Sequence, residues 1–139
     1  FDLLIIDGAP HATSATLEIA RASDLVVIPT GLALDDLRPG VMLAHELVDK
    51  GVQAHKLAFV LTRVGDSLAA VEDARGFINR AGYAVGLAEL PERVGYQRAM
   101  DAGFAASETT HRSLNGKAEA VAQDIADRLA GLVTELEVA

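Results

Sequence analysis

The chain has 139 residues, of which 50% are hydrophobic and 23% charged, a composition typical of a folded domain that buries its own core. The net charge of -8 argues against a broadly basic surface that coats nucleic acid, although it permits a local basic patch. Because the chain has no cysteine, disulfides, thiolate metal sites, iron–sulfur clusters and cysteine nucleophiles are excluded. No apolar run reaches the roughly 18 residues that a membrane span needs.

Four short apolar runs predict β-strands buried on both faces, as in a parallel sheet. They cover residues 3–6, 25–28, 57–61 and 83–87. Amphipathic stretches predict five helices, over residues 13–22, 36–50, 67–81, 93–102 and 114–136. The alternation predicts one α/β domain, a parallel sheet with flanking helices and right-handed crossovers.

The first apolar run ends in Asp7, which Gly8, Ala9 and Pro10 follow. A buried strand that ends in aspartate is typical of a Walker B segment, where the carboxylate holds Mg²⁺ against nucleotide phosphates, directly or through water. The pattern has a structural alternative, because an aspartate at a strand end also caps helices or accepts loop hydrogen bonds. Since the sequence opens inside this run, at Phe1, we expect the chain to be part of a longer protein.

Three later segments complete a pattern. Residues 22–30 lead through a strand to Pro29, and Asp36 opens the next helix after a short loop. Residues 59–64 carry Thr62 and Arg63 at a strand end, and residues 90–93 carry Pro91 before an arginine. In order and spacing, residues 1–108 resemble the C-terminal portion of a ParA-type ATPase, one of the deviant Walker-box proteins of the ParA/MinD superfamily that partition plasmids or chromosomes.

The resemblance implies a partial P-loop NTPase fold, Rossmann-like and three-layered. It implies that Asp7 is the catalytic Walker B carboxylate and binds Mg²⁺ through water, while Gly8 begins a switch, reaching to Pro10, that senses the γ-phosphate. Asp36 would support the loop beside the nucleotide and the dimer contact. The residues that would border the adenine are Thr62, Arg63 and Pro91.

The resemblance also implies a functional cycle for the complete protein. ATP with Mg²⁺ would drive a sandwich homodimer that binds DNA without sequence preference, and a ParB-like partner would stimulate ATP hydrolysis. The expected location is the bacterial cytoplasm, at the nucleoid where DNA is bound.

Three departures from the family stand in this sequence. The family has two prolines where Ala9 and Pro10 stand, and commonly an asparagine in place of Thr62. No Gly-x-x-x-x-Gly-Lys-Ser/Thr loop occurs, since the only glycine–lysine pair, Gly116 and Lys117, is followed by alanine. Because that loop supplies most phosphate affinity, we expect this chain to bind ATP weakly or not at all.

The candidate DNA-binding residues are basic side chains near the C-terminal helices, namely Arg93, Arg98, Arg112 and Lys117. Several cations on one face would neutralise phosphates. Acidic residues are interspersed among them, so an ordinary mixed-charge surface is the alternative. The terminal helix has an acidic polar face, which predicts packing against the sheet and no membrane binding.

Three other interpretations stay open at this stage. One is a different ParA/MinD-superfamily ATPase with a positioning or regulatory role. A second is a non-enzymatic interaction module that has lost the phosphate loop. A third is an unrelated flavodoxin-like or receiver domain, in which the Pro29 and Pro91 segments would be coincidental.

Overall fold

The computed structural model describes residues 2–9 and 13–139. In this part of the chain, three parallel strands form one sheet in the order β1-β2-β3. They are β1 (Val26–Thr30), β2 (Leu57–Val64) and β3 (Ala84–Pro91). The predicted α/β class with a parallel sheet is therefore confirmed, and three of the four predicted strands are present.

The helices follow the predicted alternation, with ends within two residues of the predicted ones. They are α1 (Ser14–Ala22), α2 (Leu34–Asp49), α3 (Leu68–Arg80), α4 (Val94–Asp101) and α5 (Arg112–Val138). The hydroxyls of Thr13 and Ser67 cap α1 and α3 by accepting backbone N–H bonds. The chain leaves α2, α3 and α4 through glycines with positive φ, Gly51, Gly82 and Gly103.

The predicted first strand is wrong for this structure. Residues 2–9 have no helix or strand, and the four apolar side chains from Leu3 to Ile6 are 48–83% exposed. A strand needs a neighbour for its backbone hydrogen bonds and cover for both apolar faces, and the described sheet offers this segment neither. The apolar run predicted the capacity to be buried, whereas burial itself depends on tertiary partners.

The main core lies on the face of the sheet that α2 and α3 cover. Leu57, Phe59 and Leu61 of β2 point into it and are fully buried, together with Ile78 of α3. Gly40 of α2 allows close packing, because a Cβ there would lie 3.1 Å from the Phe59 ring. Phe59 is thus the centre on which the sheet and α2 pack.

The opposite face of the sheet is covered by α5, which contacts β3. Ala58 and Val60, which alternate with the core residues of β2, line the space beneath this helix. No residue of α5 is buried, so the helix covers this face only partly. The result is a three-layer arrangement of helices, sheet and helix, consistent with a partial Rossmann-like fold.

A bulge in β3 was not predicted. From the pair Phe59–Val85 to the pair Leu61–Glu89, the register advances by two positions along β2 but by four along β3. Arg75 of α3 donates to the carbonyl oxygens of Gly86 and Leu87, and the N–H of Ala88 donates to Asp124 of α5 at 3.1 Å. Helices on both faces therefore hold the backbone groups that the bulge releases.

Two buried tyrosines should make the free energy of unfolding depend on pH in the alkaline range. Burial, and secondarily the charge of Asp49, raises the pKa of Tyr83, and burial raises the pKa of Tyr96 against the opposing effect of Arg93. The unfolded state then loses these protons first, so the free energy of unfolding should fall as the pH rises above about 10. Urea unfolding at about pH 8 and pH 11 should show this fall.

The variants Tyr83→Phe and Tyr96→Phe test the origin of this dependence. Each should reduce the alkaline loss of stability, and the double variant should reduce it most, because each removes one group that titrates differently in the two states. An unchanged alkaline loss in the double variant would contradict the assignment.

Candidate functional site at the carboxyl edge of the sheet

The three strands end at one edge of the sheet, and loops from all three meet there. In parallel α/β sheets this carboxyl edge is where ligands bind. We define it by the strand ends Thr30, Val64 and Pro91 and the residues that directly follow them.

An ion pair joins the ends of β1 and β2. Asp36, in the first turn of α2, lies 3.2 Å from the guanidinium of Arg63, measured from Oδ1 to Nη2. Both side chains remain accessible, at 40% exposure for Asp36 and 61% for Arg63. The guanidinium is thus paired with one carboxylate and remains accessible to solvent. Both residues were predicted to lie near one site, but their pairing was not predicted.

Gly31, directly after β1, packs against this ion pair. A Cβ at this buried position would lie 2.3 Å from Oδ2 of Asp36 and 3.2 Å from Nη2 of Arg63. No side chain therefore fits while Asp36 holds its present rotamer. Gly31 was not among the predicted site residues, although a glycine directly after a strand that ends in Pro-Thr is a signal that could have identified it.

Arg63 has an unusual backbone conformation, with φ of 53°. It is the one non-glycine residue with positive φ in residues 2–9 and 13–139. Such conformations cost of order 1 kcal/mol or more and cluster at functional sites. Arg63, the penultimate residue of β2, therefore has a strained backbone that the surrounding structure holds in place.

The hydroxyls at the edge are engaged locally. Thr30 is buried and donates to the carbonyl oxygen of Gly31 at 3.1 Å. Thr62 donates to the carbonyl oxygen of Thr30 at 3.4 Å and is half-buried. The lone pairs of Thr62 stay available, so this residue can accept a hydrogen bond from a ligand.

A second ion pair joins the ends of β2 and β3. Arg93 lies 2.6 Å from Asp66, and the N–H of Glu92 donates to the carbonyl oxygen of Val64 at 2.9 Å. Pro91 pairs in register with Val64 and is buried, so it shapes the edge without offering an exposed ring. Of the three residues predicted to border adenine, Arg63 is exposed, Thr62 half-buried and Pro91 buried.

Asp7 and Gly8 lie outside the sheet. Both are exposed, in the segment that forms no strand, and a Cβ at Gly8 would meet nothing within 4 Å. Pro10, the end of the predicted switch, lies outside the described residues. Within residues 2–9 and 13–139, no three potential metal ligands cluster. The predicted Mg²⁺ role of Asp7 stays a prediction.

The four candidate DNA-binding residues lie on two helices that touch or directly before one of them: Arg93 is the N-cap of α4, Arg98 lies on α4, and Arg112 and Lys117 lie on α5. The hydroxyl of Tyr96 in α4 donates to the carbonyl oxygen of Leu114 in α5 at 2.7 Å, and a Cβ at Gly95 would lie 2.7 Å from Leu114 Cδ1. All four basic side chains are exposed. Arg93 is paired with Asp66, whereas among the described residues the other three, Arg98, Arg112 and Lys117, form no ion pair.

A separate cavity of about 400 Å³ lies beneath α5. Apolar side chains that include Val27, Val60 and Leu132 line it, with Asp124 and Arg128 among its polar residues. The Arg128 guanidinium donates to the carbonyl oxygen of His55 at 2.9 Å. This cavity follows from the incomplete cover that α5 gives the sheet, and it holds none of the residues predicted for the site.

The structure is thus an α/β domain in which two ion pairs connect the carboxyl ends of three parallel strands. No family model matches the sequence, and no curated protein matches it either. Across the described residues, no helix has the length and apolarity that crossing a membrane requires.

Proposed function

We propose that this chain is the C-terminal portion of a ParA-type ATPase and that its carboxyl edge binds the nucleoside end of ATP. The observation that carries the proposal is the position of Asp36, Thr62 and Arg63. They are separated by up to 27 residues in sequence, and the folded chain brings them to neighbouring strand ends.

The side chains of the edge fit an adenine nucleotide better than an isolated phosphate. Each arginine at the edge is neutralised by a carboxylate, Arg63 by Asp36 and Arg93 by Asp66, and the chain as a whole is acidic. An adenine base carries no negative charge, so the neighbouring carboxylates do not repel it. A guanidinium plane can stack on the base, and a threonine oxygen can accept a hydrogen bond from its N–H group. Phosphate affinity would come from a glycine–lysine loop, which the 139-residue sequence does not contain.

The roles of the remaining residues follow from the same proposal. Asp7 would bind Mg²⁺ through water, and the metal would neutralise phosphate charge. Dimerisation, a ParB-like partner and DNA binding by Arg98, Arg112 and Lys117 belong to the ATP-bound state of the complete protein. The rival proposal is an interaction module without enzymatic activity, in which the edge would bind no nucleotide.

Titration of this chain with MgATP, followed by backbone NMR, tests the proposal. We expect changes in backbone chemical shift centred on Gly31, Thr62 and Arg63. The Kd should be roughly 1 mM, because these 139 residues have no phosphate-binding loop. Shift changes only beneath α5, or none, would contradict the proposed edge. Submicromolar affinity would contradict the expectation that a separate phosphate loop supplies most of the binding.

A further inference from the structure

We propose that Asp36 is a positioning residue that fixes the guanidinium of Arg63 for the nucleotide, and that position 31 is glycine to make room for Asp36. This inference rests on the proposed nucleotide-binding function of the edge. In this proposal, Gly31 and Asp36 act by setting the position of the Arg63 side chain.

The geometry supports a positioning role because Arg63 has few other restraints. Its side chain is 61% exposed, and a free arginine at such exposure samples many rotamers. The carboxylate of Asp36 is anchored on the first turn of a 16-residue helix, so it provides a fixed point. Holding a long side chain in its binding geometry in advance lowers the entropy that binding costs.

Gly31 controls this arrangement by space alone. Its φ lies outside the positive range, so alanine is compatible with the backbone. The added Cβ would collide with the end of the Asp36 side chain, at 2.3 Å from Oδ2 and 3.1 Å from Cγ. Asp36 can relieve the collision by rotating, which separates it from Arg63 at little cost to stability. Gly31→Ala therefore breaks the ion pair without removing either charge.

The chain supplies a matched control. Gly65 also lies just beyond β2, has no positive φ, and a Cβ there would meet nothing within 4 Å. Gly65→Ala adds the same methyl group beside the same site without touching the ion pair. It should leave the ligand-free NMR signal of the Arg63 side chain unchanged, so it controls for the methyl group itself.

The first measurement needs no ligand. The side-chain Nε–Hε NMR signal of Arg63 should be distinct in the wild-type chain and should move to the position of a free arginine in Gly31→Ala and in Asp36→Asn. The urea midpoints of Gly31→Ala and the wild type should coincide. If the Arg63 signal is the same in wild type and Gly31→Ala, the ion pair does not position Arg63, and the inference is overturned whatever the nucleotide does.

The second measurement is the affinity for MgATP by NMR titration. Gly31→Ala and Asp36→Asn should each weaken binding about fivefold to tenfold. The double variant should lose no more than either single variant, because both changes remove one interaction. Full additivity, or unchanged affinity in both single variants, would overturn the positioning role. A wild-type chain that binds no MgATP would overturn the proposed function instead, and the ligand-free signal of Arg63 distinguishes the two failures.

Discussion

Replacing Phe59 by alanine should lower the free energy of unfolding by about 3–5 kcal/mol. Phe59 is 0% exposed on the central strand, and its ring packs against Tyr83 at a centroid distance of 5.9 Å. Gly40 of α2 approaches the same ring. Removing the ring leaves a cavity that the sheet and α2 cannot close without shifting, so both the transfer free energy and the lost contacts count against the variant.

Urea or thermal unfolding measures this effect, and Phe104→Ala is its control. Phe104 is 57% exposed, so the same change of side chain should alter the free energy of unfolding by less than about 0.5 kcal/mol. Equal losses in the two variants would mean that Phe59 is not the centre of the core.

Replacing Arg75 by methionine should cost about 2–3 kcal/mol of folding free energy. The Arg75 side chain is only 14% exposed, lies 2.5 Å from Glu89, and donates to two carbonyl oxygens of the β3 bulge. Methionine keeps most of the volume but leaves the carbonyl oxygens and the partly buried Glu89 carboxylate without their donor. The loss should therefore come from polar groups, not from packing.

The control is Arg80→Met on the same helix, where the arginine is exposed and a change within about 0.5 kcal/mol is expected. Hydrogen exchange should also accelerate at Ala88 in Arg75→Met, since the bulge loses one of its two anchors. A variant as stable as the wild type, with unchanged exchange at Ala88, would show that Asp124 alone holds the bulge.

The fold could be predicted to the extent that it depends on local patterns. Runs of aliphatic residues located β1 to β3, and amphipathic spacing located all five helices. The stops at Gly51, Gly82 and Gly103 followed from the positive φ that a helix end needs. Residues 3–6 had the same local pattern as the three real strands, and the prediction failed there because the pattern carries no information about a neighbouring strand.

The candidate site could be predicted only in part, for a similar reason. The sequence placed Thr62 and Arg63 at one strand end and Asp36 at the start of the helix that follows the preceding strand. Parallel strands bring their carboxyl ends together. The ion pair between Asp36 and Arg63, the positive φ of Arg63 and the crowding at Gly31 depend on the distance between two loops, which no local pattern specifies. The β3 bulge escaped prediction because Arg75 and Asp124, which stabilise it, lie on other elements.

The proposed function makes this chain part of an ATPase whose phosphate-binding loop lies outside these 139 residues. Its most direct test is the intact mass and N-terminal sequence of the natural protein purified from its source. We predict a mass well above the 14.6 kDa of this chain, with a Gly-x-x-x-x-Gly-Lys-Ser/Thr-like loop in the additional segment. A natural protein of the same mass as this chain would contradict the claim and leave the non-enzymatic interaction module as the better account.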